Sequence, residues 1–128
     1  MKAYAALAAF TCVFGLAGPA RAAQILSPPL PTSIGSSGAC YIRNTGTTAI
    51  HVQVSLFSNN AIVAAQYHDS CSGVALPGGQ TCWVLVDHLP DGSFAACSAT
   101  SGNIAKVRGT LEIRHRSPLR ILVSEDLR

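Results

Sequence analysis

The chain has 128 residues, 12% of them charged, and a formal net charge of +3. That length accommodates a single domain. So slight a charge excess argues neither for nucleic acid nor for anionic membrane as a partner.

The first segment carries export chemistry. Lys2 gives a short positive start, and residues 5–16 form an uncharged apolar run of about a dozen residues, the length of a signal-peptide core. A bilayer-spanning helix needs about 20 such residues. Gly18-Pro19 breaks the run, and Ala20-Arg21-Ala22 is a small-x-small cleavage site, so residues 1–22 read as a cleaved signal peptide. Cys12 is not placed for lipidation: Phe10 is too bulky for a lipobox, and the apolar run continues past the cysteine. The expected location is periplasmic or extracellular, with no transmembrane segment after cleavage. Losing Lys2 and Arg21 leaves seven basic residues against six acidic ones, a net charge of +1.

Residues 23–37 contain Pro28-Pro29-Leu30-Pro31 and run into Gly35-Ser36-Ser37-Gly38. They read as an extended, polyproline-like leader outside the core, with the folded domain spanning residues 38–128.

From Cys40 onward, short strand-like runs alternate with turn signals. Cys40-Tyr41-Ile42-Arg43 leads into Asn44-Thr45-Gly46-Thr47, and Ile50, Val52, Val54 and Leu56 then alternate with polar residues. Further runs are expected at 62–67, 81–86 and 94–97, the last two entered through Pro77-Gly78-Gly79 and Pro90-Asp91-Gly92. Val107, Leu111 and Ile113 alternate with polar partners, as do Leu119, Ile121 and Val123 after Ser117-Pro118. Seven short strands without a long amphipathic helix predict an all-β, two-sheet, immunoglobulin-like sandwich; a small barrel is the second choice.

Once Cys12 leaves with the signal, four cysteines remain: Cys40, Cys71, Cys82 and Cys97. An even number in an exported domain reads as two disulfides, with three possible connectivities. His68, Cys71, Cys82 and His88 could also be drawn as a zinc site, but oxidising export argues against persistent thiolates. No metal or other cofactor is expected.

The order Cys40-Tyr-Ile-Arg-Asn-Thr-Gly-Thr, Val52-Gln-Val-Ser-Leu, Leu76-Pro-Gly-Gly, Phe94-Ala-Ala-Cys97 and Val107-Arg-Gly-Thr-Leu resembles a loose group of small exported bacterial proteins of unknown function. The resemblance implies that Cys40 pairs with Cys97 and Cys71 with Cys82. The ending Ser124-Glu125-Asp126-Leu127-Arg128 departs from the group's more apolar one. Spacing leaves a competing arrangement open: Cys82 and Cys97 flank the Pro90-Asp91-Gly92 turn almost symmetrically, and a hairpin there would pair them and leave Cys40 to Cys71.

No catalytic set stands out. His68-Asp69-Ser70 has suitable residue types, but neighbouring side chains diverge along a strand. Nothing matches a phosphate loop, a dinucleotide fingerprint or a nucleophile elbow, so the protein reads as a non-enzyme. The asymmetric feature is basic: Lys106, Arg108, Arg114 and Arg116 share parity opposite Val107, Leu111 and Ile113, and Arg120 sits on the following strand. These five form a possible anion-binding face, although a solvated outer face that discourages edge pairing explains the same pattern. No aromatic interleaves with them along the strand, which disfavours single-stranded nucleic acid. The expected function is a non-catalytic binding or structural module of the envelope or secreted fraction, its partner an envelope polymer or protein. The alternative is a secreted inhibitor or effector acting through the Cys71–Cys82 loop; a metal-binding protein is the third reading.

Overall fold

The computed structural model describes residues 23–59, 61–62, 68–116 and 119–128. The expected signal peptide, with Cys12, lies outside the described residues, as do residues 63–67 of the expected third strand and the Ser117-Pro118 turn. The strands in chain order are β1 (Ala23–Leu26), β2 (Leu30–Pro31), β3 (Ser36–Asn44), β4 (Ile50–Ser58), β5 (Ala61–Ile62), β6 (His68–Asp69), β7 (Ala75–Leu76), β8 (Thr81–Val86), β9 (Phe94–Ser101), β10 (Val107–Arg116) and β11 (Leu119–Leu127). A 3₁₀ turn, Ile104–Lys106, precedes β10.

Two antiparallel sheets result. One runs β1-β9-β4-β5, with β2 also on β9 and β7 also on β4; the other runs β11-β10-β3-β8-β6. The expected alternation sets which side chains enter the space between them. Along β4 the even residues Val52, Val54 and Leu56 are buried while His51 and Gln53 face solvent. Opposite them, Cys40 and Ile42 of β3, Val84 and Val86 of β8, and Leu111 and Ile113 of β10 complete the core. Fully burying each Val, Leu or Ile side chain contributes roughly 1.5–3 kcal/mol, so this layer supplies most of the drive for the two sheets to associate.

Two glycines mark close approaches. A Cβ on Gly38 would lie 2.8 Å from Leu56 Cδ1 and 3.2 Å from Leu89 Cδ1. A Cβ on Gly78 would lie 2.6 Å from the Gly46 carbonyl oxygen, so the Pro77-Gly78-Gly79 loop packs backbone to backbone against the turn after β3. Asn44, fully buried, pins that junction. Its Nδ2 donates to the carbonyls of Thr48 at 2.8 Å and Leu76 at 2.9 Å, and its Oδ1 accepts from the Gly46 N–H at 2.9 Å.

The cysteines pair as Cys40–Cys97, with Cα atoms 6.2 Å apart, and Cys71–Cys82, with Cα atoms 5.1 Å apart. The first bond crosses the core from β3 to β9 and ties the two sheets together. The competing hairpin arrangement fails because β8 and β9 belong to different sheets. The Pro90-Asp91-Gly92 turn is therefore a crossover between layers, and Cys82 and Cys97 are not cross-strand neighbours.

The leader differs from expectation. Residues 23–37 are extended, but they are not outside the core: β1 pairs with β9 from Ala23↔Ser101 to Leu26↔Ser98, and β2 pairs with it at Leu30↔Ala95 and Pro31↔Phe94. Leu30 joins the buried cluster. The prolines do not keep the segment out of the sheet, because an edge strand tolerates proline where its missing N–H would not have joined the ladder. The edge also links the layers, since Leu26 and Arg128 exchange backbone hydrogen bonds of 3.1 and 3.0 Å between β1 and the end of β11.

Candidate functional site

On the five-stranded sheet the residues that alternate away from the core form a continuous outer face. Within β10, Val107, Leu111 and Ile113 point inward and are buried. Arg108, Thr110, Glu112 and Arg114 therefore take the other side. Register brings partners from neighbouring strands beside them. Thr110 lies opposite Tyr41 of β3, and Tyr41 lies opposite Trp83 of β8. Arg108 lies opposite Arg43, and Arg43 opposite Thr81. Aromatic residues do interleave with the basic ones, but across strands; a search along one strand misses them.

The five residues of the expected basic face divide here. Arg108 is exposed, and its Nη1 donates to the carbonyls of Val107 at 2.7 Å and Ala105 at 3.2 Å. Arg114 is half-buried and occupied: it forms an ion pair with Glu112, donates to the Tyr41 hydroxyl at 2.5 Å, and its guanidinium carbon stands 5.4 Å from the centre of the Tyr41 ring. Burial works against its charge, but the hydrogen bonds it donates to Glu112, electrostatic attraction to Tyr41 and Glu112, and the hydrogen bond it donates to Tyr41 outweigh it and raise the pKa above the ordinary arginine value. Arg114 thus braces Tyr41. Lys106 is exposed at the end of the 3₁₀ turn, before the strand begins. Arg116 and Arg120 lie at the β10–β11 hairpin end, and their side chains lie outside the described set.

Trp83 is 37% exposed. The His68 ring stacks against it, 6.0 Å between centres and 28° between planes. Its backbone is held as well: the Trp83 N–H donates to Ser70 Oγ at 2.8 Å, and the Ser70 N–H donates to the Trp83 carbonyl at 2.9 Å. Cys82, immediately before it, is bonded to Cys71, while Asp69 Oδ1 accepts from the N–H groups of Cys71 and Ser72. The Cys71–Cys82 loop thereby fixes where Trp83 sits. The same bond takes up both cysteines of the set His68, Cys71, Cys82 and His88.

At the end of this face where β10 begins and β11 ends lies an open groove of about 680 Å³. Its polar wall carries Tyr41, Arg43, Arg108, Asp126 and Arg128, and its apolar floor is Ile25, Val107 and Leu127. Asp126 Oδ1 accepts a hydrogen bond from Thr110 Oγ1 at 3.1 Å. Sequence reading missed Arg43, Arg128, Tyr41 and Trp83 as site residues. Their parity was visible in each strand, but the strand order that sets them side by side was not.

No protein-family model, curated protein or solved structure matches this chain. Its class is therefore the one its fold defines: an all-β protein of two antiparallel sheets held by two disulfides. Such bonds persist in oxidising surroundings. Among the described residues no helix is long and apolar enough to cross a membrane.

Proposed function

We propose that this protein is an exported, non-catalytic binding module with an immunoglobulin-like sandwich, and that it holds an envelope polymer or protein on the outer face of its five-stranded sheet. The observation that carries the reading is Trp83: a large aromatic, partly exposed, beside Tyr41 on a face stiffened by the Cys71–Cys82 bond. Aromatic anchors held rigid before binding lose little entropy when a ligand arrives, and so dominate binding surfaces. Export rests on the signal-peptide pattern of residues 1–22 and on the two disulfides.

Two measurements test this reading. Intact-mass analysis of the protein from a bacterial periplasm or medium should give a chain beginning at Ala23 with no free thiol; an uncleaved chain confined to the cytosol overturns export. Soluble envelope polysaccharide titrated into isotope-labelled protein should shift the amide signals of Tyr41, Trp83 and Arg108. Shifts confined to the opposite sheet overturn the assignment of the face.

A second reading, a secreted inhibitor or effector, is favoured by Val74. It is 56% exposed in the loop closed by Cys71–Cys82, and the β7 pairings Ile50↔Leu76 and His51↔Ala75 brace that loop. Inhibition of an envelope protease that is lost in Val74→Asp would establish it, and a protease panel without inhibition removes it.

A further inference from the structure

We infer that the groove beside Tyr41 is a binding site for an acidic polysaccharide, with Arg43, Arg108 and Arg128 gripping successive sugar carboxylates. The inference rests on the reading of the outer sheet face as the binding surface, and it names the ligand class.

The first observation is a clash of charge in the register. Arg43 and Arg108 are direct cross-strand partners on β3 and β10. Arg128, just past the end of β11, exchanges backbone hydrogen bonds with Leu26 of β1. Two cations therefore stand opposite each other on adjacent strands about 4.8 Å apart, and a third, Arg128, lines the same groove. Like charges placed opposite each other destabilise a sheet. No acidic side chain among the described residues pairs with Arg43 or Arg108. The Arg43–Arg108 pair costs stability in the free protein, and an anion lying across it removes that cost.

The second observation is the composition of the groove. The guanidinium fork matches a carboxylate in a bidentate way, which gives it orientation as well as attraction. Arg108 is already anchored through Nη1, leaving its Nε and Nη2 donors for a ligand. Tyr41 is fixed by Arg114 at the edge of the same groove, and an aromatic face attracts the weakly positive C–H face of a sugar ring. Ile25, Val107 and Leu127 supply an apolar floor, while Asp126 supplies an acceptor. A wall that mixes three guanidiniums with one carboxylate suits a ligand that mixes anionic groups with hydroxyl donors. A nucleic acid, whose sugars keep few free hydroxyl groups, would offer Asp126 few donors.

Binding of polygalacturonate to the purified protein, measured by titration calorimetry at low salt, tests the inference. Arg43→Gln and Arg108→Gln should each weaken binding about tenfold or more, and added salt should weaken it further. Lys106→Gln, an equal loss of charge outside the groove lining, should leave affinity within about twofold. Melting temperature separates binding from folding: removing one member of the like-charged pair should hold or raise it, so weaker binding in a variant that melts no lower cannot come from unfolding. Equal loss in Lys106→Gln, no binding of polygalacturonate, or equal binding of single-stranded DNA or polyglutamate overturns the assignment. If Trp83→Ala abolishes the amide shifts caused by envelope polysaccharide while the arginine variants bind as before, the face stands and the acidic ligand falls. If none of these changes has an effect, both readings fall.

Discussion

The Tyr41 hydroxyl accepts a 2.5 Å hydrogen bond from Arg114 Nη2 while the same guanidinium stands 5.4 Å from the centre of the Tyr41 ring. One cation thus holds one aromatic at its hydroxyl edge, and Glu112 fixes the cation in turn. A residue that a strand-by-strand reading takes for a free surface charge is a strut for the candidate binding face.

Tyr41→Phe removes the acceptor but keeps the ring. Net loss from a partly exposed, charge-assisted hydrogen bond should be about 1 kcal/mol. Urea denaturation should show a lowered midpoint with an unchanged slope. A midpoint equal to wild type would mean that the bond adds nothing to folding.

The pH dependence of this strut has a definite sign. The Arg114 pKa is raised in the folded state, so its contribution is complete below the unfolded-state value and is lost only as pH rises through the still higher folded one. Between about pH 7 and pH 9, well below the ordinary arginine range, the difference in melting temperature between wild type and Arg114→Gln should stay constant. A difference that shrinks across that window contradicts the assignment.

Asn44→Ala should be among the most damaging polar substitutions. It strands two carbonyls and one N–H at the junction of β3, the following turn and β7. Each buried group left unpaired costs about 1–3 kcal/mol, some of it recovered where water can enter. A loss of about 2–4 kcal/mol in chemical denaturation is expected, and a loss under about 1 kcal/mol would show that the turn rearranges.

Gly78→Ala should destabilise by about 1–3 kcal/mol, because the new methyl meets backbone atoms of Gly46 and Thr47 that cannot swing aside. Hydrogen exchange should then quicken at Gly79, whose N–H donates to the Asn44 carbonyl at 2.8 Å. Unchanged exchange there would place the strain elsewhere.

The two disulfides should differ in weight. Closing loops with separations of 57 and 11 residues gives upper chain-entropy values of about 4 and about 3 kcal/mol. Removing Cys40 and Cys97 together should therefore cost more than removing Cys71 and Cys82 together, and only the second change should disturb Trp83 fluorescence in the folded protein. Non-reducing peptide mapping should recover the two pairs uncrossed.

Much of the fold was legible because alternation is a local property. The runs containing Val52, Val54 and Leu56, or Leu111 and Ile113, state which side chains leave solvent whatever they pack against. The leader was misjudged because proline removes a donor, which looks like a break in sequence but costs nothing on the open side of an edge strand. The basic face was legible only in part. Arg108 and Arg114 do share a face, yet one is open and the other is bound to Glu112 and Tyr41.

By itself the sequence determined the all-β character, the inward and outward set within each main strand and the four cysteines available for cross-links. All of these follow from residue type and a period of two. Tertiary structure alone decided which strands are neighbours. That choice separated Cys82 from Cys97 by placing β8 and β9 in different sheets, and it set Arg43 against Arg108 and Tyr41 beside Trp83. The physical reason is that strand order is fixed by burial of the whole apolar surface at once, a sum over distant residues that no local pattern contains.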